Sequence, residues 1–435
     1  METKDPNQLD EEYDVIVAGV GAAALAAAVA SAREGMKTLL HTKLPSIGGF
    51  GGSTIVHSLC GLYAKSPDMI PRPANGGFAM EFAERLLKFG CASGPLRAGP
   101  FDILLNEPLP YTRFCHDFCE REKNLTVALE SRVELVEGSD SHFDKLFFEG
   151  RQGPVRAKAF VDTTREAEIA FLGGADYETS VDRPVKRRTF VLCVSNQEVN
   201  ATSDENLRFF SDRIVSGIRS GELAPQMAMV AIKIARIDRE WNACIRLDDE
   251  GDHFSALNQD SLIRFQILGG NLTEQLCQFL RANVPGFEKC RVDVVPSHPC
   301  APESRRLVGR HRLSPEDLQS NTDFEDAVCR LAWPIMADPM IAKESTSSAN
   351  PLPPPGVPLR SLLSKNITNF VVAGRCVSSS YVVQGALRVA GAALSLGQAA
   401  GLAAAEIARS SSLSIPEGSE PETASKIRAE LEKGL

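Results

Sequence analysis

Several features are missing from this chain, and each absence removes a class of protein. There is no long apolar run of the kind that spans a bilayer. The longest, Val389 to Ala405, is mostly alanine and glycine, contains Gln398 and falls short of the roughly 20 residues a span needs, so it reads as a buried helix. Met1 to Glu12 is polar and acidic, with neither the basic nor the apolar stretch of a signal peptide. Positive charge is not in excess. With 47 Lys and Arg against 56 Asp and Glu the formal net charge is −9, and such a surface repels phosphate backbones, which sets nucleic acid aside as a partner. The 11 cysteines are odd in number and scattered. Cys115 and Cys119 are the closest pair, and no second pair or histidine pair completes a zinc set. The expectation is reduced thiols in a cytoplasmic protein without a metal, with a redox pair at Cys115 and Cys119 as the alternative. No repeat of solenoid type is visible.

At 435 residues the chain exceeds a single small core and reads as two or three domains. Tyr13 to Ala18 (YDVIVA) suits a strand buried on both faces. Gly19-Val20-Gly21 follows as a tight turn, Ala22 to Glu34 as a helix closed by Gly35, and Lys37 to Thr42 as a second strand. This β-α-β unit has about the 30 residues a parallel crossover takes. A helix is expected near 109–122, strand-turn-strand over 125–136, and strands at 143–148 and 155–161. The middle region, with strands at 188–194, 228–237 and 243–247 and helices at 204–220 and 259–283, lacks glycine turns and reads as an α+β domain. Pro351 to Pro358 reads as a linker. A strand at 369–373, a Gly/Ala-rich helix from Gly385 to Arg409 and a last helix from Glu422 complete the chain.

Gly19-Val20-Gly21-Ala22-Ala23-Ala24 fits G-x-G-x-x-G/A between a strand and a helix. Gly19 permits the sharp turn, Gly21 lets the backbone approach a pyrophosphate, and Ala24 allows close packing of helix on strand. The helix N-terminus then offers free N–H groups to the phosphates. The acid that binds the ribose hydroxyls belongs roughly twenty residues further on, at the end of the second strand. That position is Thr42, flanked by His41 and Lys43.

Four stretches carry a family resemblance. They are the YDVIVAGVGAAALAAAVASAREG opening; Ile47-Gly48-Gly49-Phe50-Gly51-Gly52-Ser53-Thr54; Pro302-Glu303-Ser304-Arg305-Arg306-Leu307-Val308-Gly309 with Leu313-Ser314-Pro315-Glu316-Asp317; and a long C-terminal match. This last runs from Leu359-Arg360-Ser361-Leu362-Leu363 through Asn369-Phe370-Val371-Val372-Ala373-Gly374-Arg375 and Gln384-Gly385-Ala386-Leu387-Arg388-Val389 to Gly397-Gln398-Ala399-Ala400-Gly401. In these the chain resembles the FAD-dependent oxidoreductases of the glutathione-reductase type, in particular a broad bacterial group. The resemblance implies FAD as cofactor and an α/β fold: a Rossmann-type FAD/NAD(P)-binding domain with an inserted α+β substrate domain. The expected division is residues 10–175 and 346–410 for the FAD-binding domain, 176–345 for the substrate domain and 411–435 for a tail. It further implies that Gly374-Arg375 and the helix after Gln384, with Gly385 and Ala386, bring backbone amides to the flavin. Gly48, Gly49, Val133, Thr163, Thr164 and Arg165 join Gly19, Gly21, Ala22, Ala23, Ala24, Thr42 and Lys43 in the expected cofactor set. The group's D-A-T-G-D pattern is here Asp162-Thr163-Thr164-Arg165-Glu166, with arginine in place of the glycine, and Pro302 stands where the group has arginine.

A flavin carries out redox chemistry itself, so the protein's titratable groups supply protons and orientation. His57 is expected near the ring as acid, base or covalent attachment point, with a structural histidine as the alternative. His298, Glu303, Arg305 and Arg306 form a second cluster. Paired arginines read carboxylates in a forked geometry, which suits an anionic substrate, and an internal Glu–Arg pair is the alternative. His57, His298 and Arg306 are thus the candidate catalytic residues. Tyr381 either faces the ring or caps the last helix, and nothing marks Cys60 or Cys376 as reactive. The expected activity is hydride transfer between a small organic substrate and flavin N5. The alternative is a scaffold of the same fold that binds NAD or has lost flavin chemistry. No second G-x-G-x-x-G is visible, so electrons are expected to pass to or from a substrate, oxygen, a quinone or a partner protein; homo-oligomerisation is left open.

Overall fold

The computed structural model describes residues 4–53, 58–66, 68, 70–98, 101–179, 188–195, 204–229, 231–234, 241–247, 259–294, 305–335 and 353–433. They fall into two compact units. The first comprises Met1–Gly49, Leu59–Ser180 and Ser304–Leu435, and the second Phe50–Ser58 and Val181–Glu303.

The first unit opens with β1 (Glu12–Ala18), α1 (Ala22–Arg33), β2 (Thr38–His41) and α2 (Gly77–Lys88). There follow a hairpin of β3 (Ala92–Ala98) and β4 (Phe101–Asn106), α3 (Pro108–Glu120), β5 (Leu125–Ala128), a meander of β6 (Val133–Gly138) and β7 (Phe143–Phe148), β8 (Val155–Asp162) and the short α4 (Glu168–Gly173). The second unit contains β9 (Arg188–Ser195), α5 (Asp204–Ser220), β10 (Ala231–Ile234), β11 (Trp241–Leu247), α6 (Gln259–Asn283) and β12 (Arg291–Val294). The chain then supplies β13 (Phe370–Val372), α7 (Tyr381–Leu387), α8 (Ala390–Arg409) and α9 (Glu420–Leu431) to the first unit.

In the first unit β5, β2, β1 and β8 lie parallel in that order. The outer edge of β8 is shared: β7 pairs antiparallel with its start and β13 parallel with its end. Val15, Ile16 and Val17 on β1 are covered on both faces, which is why the strand reads as a continuous apolar run. All five parallel strands end at one edge, at Ala128, His41, Ala18, Asp162 and Val372. From β1 the chain turns through α1 to β2 on one side, while β8 lies on the other. This is the topological switch point at which open α/β sheets bind ligands.

The helix α1 has eight alanines in twelve residues and packs along α8. A Cβ on Gly401 would lie 2.9 Å from the Cα of Ala27, and one on Gly397 would lie 2.8 Å from that of Ala23, so only glycine lets the two helices approach this closely. Ser31 Oγ donates to the Gly401 carbonyl at 3.0 Å across the same seam.

Two expectations are corrected. The C-terminal helix does not run unbroken from Gly385: α7 begins at Tyr381, and α7 and α8 are bent by 91° at Arg388–Val389. The cause is tertiary. Val389 is extended (φ −71°, ψ 154°), and Gly391 N donates to the Cys60 carbonyl at 2.9 Å, which docks the start of α8 on the 60–62 loop. Of the proline-rich stretch, Gly356–Pro358 is a strand paired with Ala327–Arg330 rather than free linker. Residues 77–98 and 101–106, given no element from the sequence, supply α2 and the paired strands β3 and β4, and Phe78 N at the start of α2 donates to Gln398 Oε1 at 2.8 Å.

The second unit is a four-stranded antiparallel sheet in the order β10-β11-β9-β12, with α5 and α6. Phe210, Ile214, Leu276, Leu280 and Phe287 belong to its own core cluster. Among the described residues no single helix is long and apolar enough to cross a membrane.

Candidate active site

The turn after β1 is held by backbone bonds. Gly19 N donates to the His41 carbonyl at 3.0 Å, and Gly48 N to the Val20 carbonyl at 2.8 Å. Gly19 has φ +143°, and Thr163 lies directly over it, its N and Oγ1 both donating to the Ala18 carbonyl at 2.8 Å. Gly49 (φ +56°) packs on Gly21: a Cβ at Gly49 would fall 2.7 Å from the Gly21 Cα. A Cβ at Gly21 itself would meet nothing within 4 Å, so this face of the turn is open. Gly21 is the N-cap of α1, with no side-chain hydrogen bond capping the helix. Ala23 and Ala24 are buried beneath, and Ala22 is half-buried. Gly374 (φ +67°) completes the ring, its Cβ position lying 3.3 Å from that of Ala23.

Beside the turn lie the ends of β2 and β8. Thr42 is buried; Leu44 N donates to its Oγ1 at 3.2 Å. Ser131 N donates to the Thr42 carbonyl at 2.9 Å, which fixes the turn leading to Val133 at the start of β6. His41 points into the core, edge-on to Phe148 at 5.0 Å, and burial lowers its imidazole to about 4. Lys43 Nζ reaches Glu168 Oε1 at 3.2 Å and lies 3.9 Å from Glu166 Oε2. Arg165 Nε donates to Glu166 Oε1 at 2.7 Å. Burial works to raise the Glu166 carboxyl, but the charges of Arg165, Lys43 and Arg375 outweigh it and hold the group below the usual carboxylate range.

Asp162, at the end of β8, was not singled out from the sequence, although an acid closing a buried strand is a readable signal. Its Oδ1 accepts from Thr164 N at 2.8 Å and Thr164 Oγ1 at 2.7 Å, and its Oδ2 from Ile169 N at 2.9 Å and Ala170 N at 3.2 Å. Burial raises its carboxyl to about 6 in spite of these bonds. Cys376 Sγ donates to the Thr164 carbonyl at 2.8 Å, and burial pushes the thiol well up.

In the C-terminal segment Gly385 and Ala386 are buried inside α7, not at a helix start; Ser380 caps that helix by accepting from Val383 N at 3.4 Å. Gln384 is fully buried. Its Nε2 donates to the Arg375 carbonyl at 3.1 Å, while its Oε1 has no hydrogen-bond partner among the described residues. Arg375 and Tyr381 are buried alongside.

Of the remaining candidates, only the arginines are described. His57, His298, Pro302 and Glu303 lie outside the described residues. Arg306 is 1% exposed, donates from Nε to the Ser379 carbonyl at 2.9 Å and pairs with Glu178 at 3.7 Å. Arg305 donates to the Glu166 carbonyl at 3.1 Å and stacks on Phe171 at 3.8 Å. Cys115 and Cys119 are buried, and burial pushes both thiols up, so neither offers a thiolate for redox exchange.

A glycine turn from a parallel strand into an uncapped helix, at the switch point of the sheet, defines a dinucleotide-binding Rossmann-type protein. The family model for FAD dependent oxidoreductases matches residues 14–417, and the chain belongs to that family. It is an oxidoreductase with FAD as cofactor. Solved structures with the same architecture include p-nitrophenol 4-monooxygenase PnpA from Pseudomonas putida DLL-E4, 11% identical, TM-score 0.50, covering 98% of this chain and 91% of that one. A geranylgeranyl bacteriochlorophyll reductase-like protein from Thermoplasma acidophilum is 15% identical at a TM-score of 0.47, covering 97% and 84%. At 11% identity the likeness to PnpA is one of fold alone. No curated protein matches the sequence.

Proposed function

We propose that the chain transfers a hydride between a small organic substrate and N5 of FAD lying across the Gly19–Gly21 turn. The observation that carries this reading is the uncapped start of α1 with open space facing Gly21, where free N–H groups and the helix dipole meet an anion. Gly19, Gly21, Ala22, Ala23, Ala24, Gly48, Gly49, Thr163 and Gly374 would hold the pyrophosphate. Thr42, Lys43, Val133, Thr164 and Arg165 would line the adenosine end. Arg375, Gln384, Gly385 and Ala386 would line the flavin end, where the unpartnered Oε1 of Gln384 offers a buried acceptor that water does not reach. Bound FAD supplies the two-electron chemistry. The protein's part is to orient the substrate, exclude water and move one proton, for which His57 and His298 are the candidates. An anion on the substrate would need cations other than Arg305 and Arg306, whose guanidiniums are engaged within the first unit.

The test is the visible absorption spectrum of the purified protein before and after acid precipitation, then anaerobic titration with candidate substrates. Flavin bands released to the supernatant, and bleached by a substrate, support the reading. Bands that stay in the pellet would assign His57 to covalent attachment. No bands, even after incubation with FAD, would overturn the placement of FAD across the Gly19–Gly21 turn.

A further inference from the structure

We propose that Glu166, at the end of β8, binds the adenosine ribose of FAD in place of the acid missing at position 42. The inference rests on the placement of FAD over the Gly19–Gly21 turn given above. A dinucleotide there presents two ribose hydroxyls near the end of β2 and calls for a carboxylate to receive them. β2 has none to give. Thr42 offers one hydroxyl, already accepting from Leu44 N at 3.2 Å in a residue 5% exposed. His41 is turned away onto Phe148, and Lys43 is a donor only.

Lys43 nevertheless ties this strand end to the β8 loop, with Nζ 3.2 Å from Glu168 Oε1 and 3.9 Å from Glu166 Oε2. Of the two acids, Glu168 takes the closer contact with the lysine. Glu166 is oriented from its other side, by the 2.7 Å bond from Arg165 Nε to Oε1. Oε2 then has the ion-pair contact at 3.9 Å, too long for a hydrogen bond. The side chain is 17% exposed, so an oxygen of a fixed carboxylate stays open to a hydroxyl donor beside the phosphate turn. Arg165, which replaces the glycine of the family pattern, does not project into that space alone but aims its neighbour. Two departures from the pattern, threonine for the acid and arginine for the glycine, thereby act as one compensating pair.

The experiment measures, by quenching of flavin fluorescence on the apoprotein, the affinity for FAD and for the FAD analogue lacking the adenosine 2′- and 3′-hydroxyls. Glu166→Gln is expected to weaken FAD binding about 10- to 100-fold, as loss of a charged hydrogen bond does, and to leave the analogue unchanged. Thr42→Glu in the Glu166→Gln background should restore the preference for FAD. Glu166→Asp, which keeps the charge that Arg165 and Lys43 pair with, serves if the glutamine variant does not fold, and should also lower FAD affinity selectively. Equal losses for FAD and the analogue, or no loss, would overturn the role of Glu166. Wild-type protein that takes up no flavin would instead overturn the placement of FAD.

Discussion

The helices α1 and α6 are both legible in the sequence, yet they are held in opposite ways. α1 is buried on every side from Ala23 to Ala32, and its limit is size: beneath the α8 glycines there is no room for another carbon. α6, twice as long, has one apolar face in the core of the second unit and leaves Ile263, Ile267 and Leu268 exposed. Its limit is pattern: an apolar residue is needed on one side, and almost any on the other. Close packing of small side chains therefore carries the geometry of the dinucleotide turn, while amphipathic packing holds a region whose surface can vary.

The comparison can be broken most directly at Gly401. Gly401→Val places a branched carbon against the backbone of Ala27, which cannot move aside, and is expected to cost about 3 kcal/mol by chemical denaturation, at the upper end for overpacking. A cost as small as that of an exposed α6 substitution would show that the seam yields.

Next in size come the two buried titratable groups at the strand ends. Asp162 has its carboxyl raised to about 6, so it favours the folded state below the ordinary carboxylate range and loses that contribution as pH rises to 6. His41, lowered to about 4, contributes above pH 6.5 and loses it as pH falls towards 4. Each is worth on the order of 3 kcal/mol, with opposite slopes. Wild-type stability is therefore nearly flat between pH 4 and 6 as far as these two groups decide it. Asp162→Asn should expose a loss on acidification, and His41→Leu a loss on raising the pH, both read from urea midpoints across that range. Parallel slopes in the two variants would refute the assignment.

Ser31→Ala, which removes the bond to the Gly401 carbonyl without adding volume, is expected to cost about 1 kcal/mol. Ile267→Ser, 59% exposed on α6, should change stability by less than about 0.5 kcal/mol. A larger loss at Ile267 than at Ser31 would reverse the contrast between the helices.

Much of this was readable beforehand because it is local. The run of branched residues in β1, the alanines of α1 and the amphipathic spacing of 204–220 and 259–283 depend on near neighbours, and those elements form as read. The bend at Val389 is imposed by Cys60, over three hundred residues away in the chain, and leaves no periodic trace. The β3–β4 hairpin is interrupted by Gly94 and Pro95, which mask the alternation of a strand. At the candidate site the glycines were legible through their spacing. The link from Lys43 to Glu166 and Glu168 was not, because it joins the ends of strands that are not neighbours in sequence. Arg306 looked like an anion reader because sequence shows charge and not burial; its guanidinium sits inside the fold against Ser379 and Glu178.

The α1–α8 seam also sets an order of events during synthesis. Ser31 and the Gly401 carbonyl it bonds are 370 residues apart, so the alanine face of α1 leaves the ribosome early and waits for nearly the whole chain before its cover arrives. Until then the nascent dinucleotide turn rests on half a scaffold. Chains ending before residue 390 should be caught by chaperones or proteases, whereas those extending through Arg409 carry the cover for α1, which makes α8 a late checkpoint on whether the first unit can close.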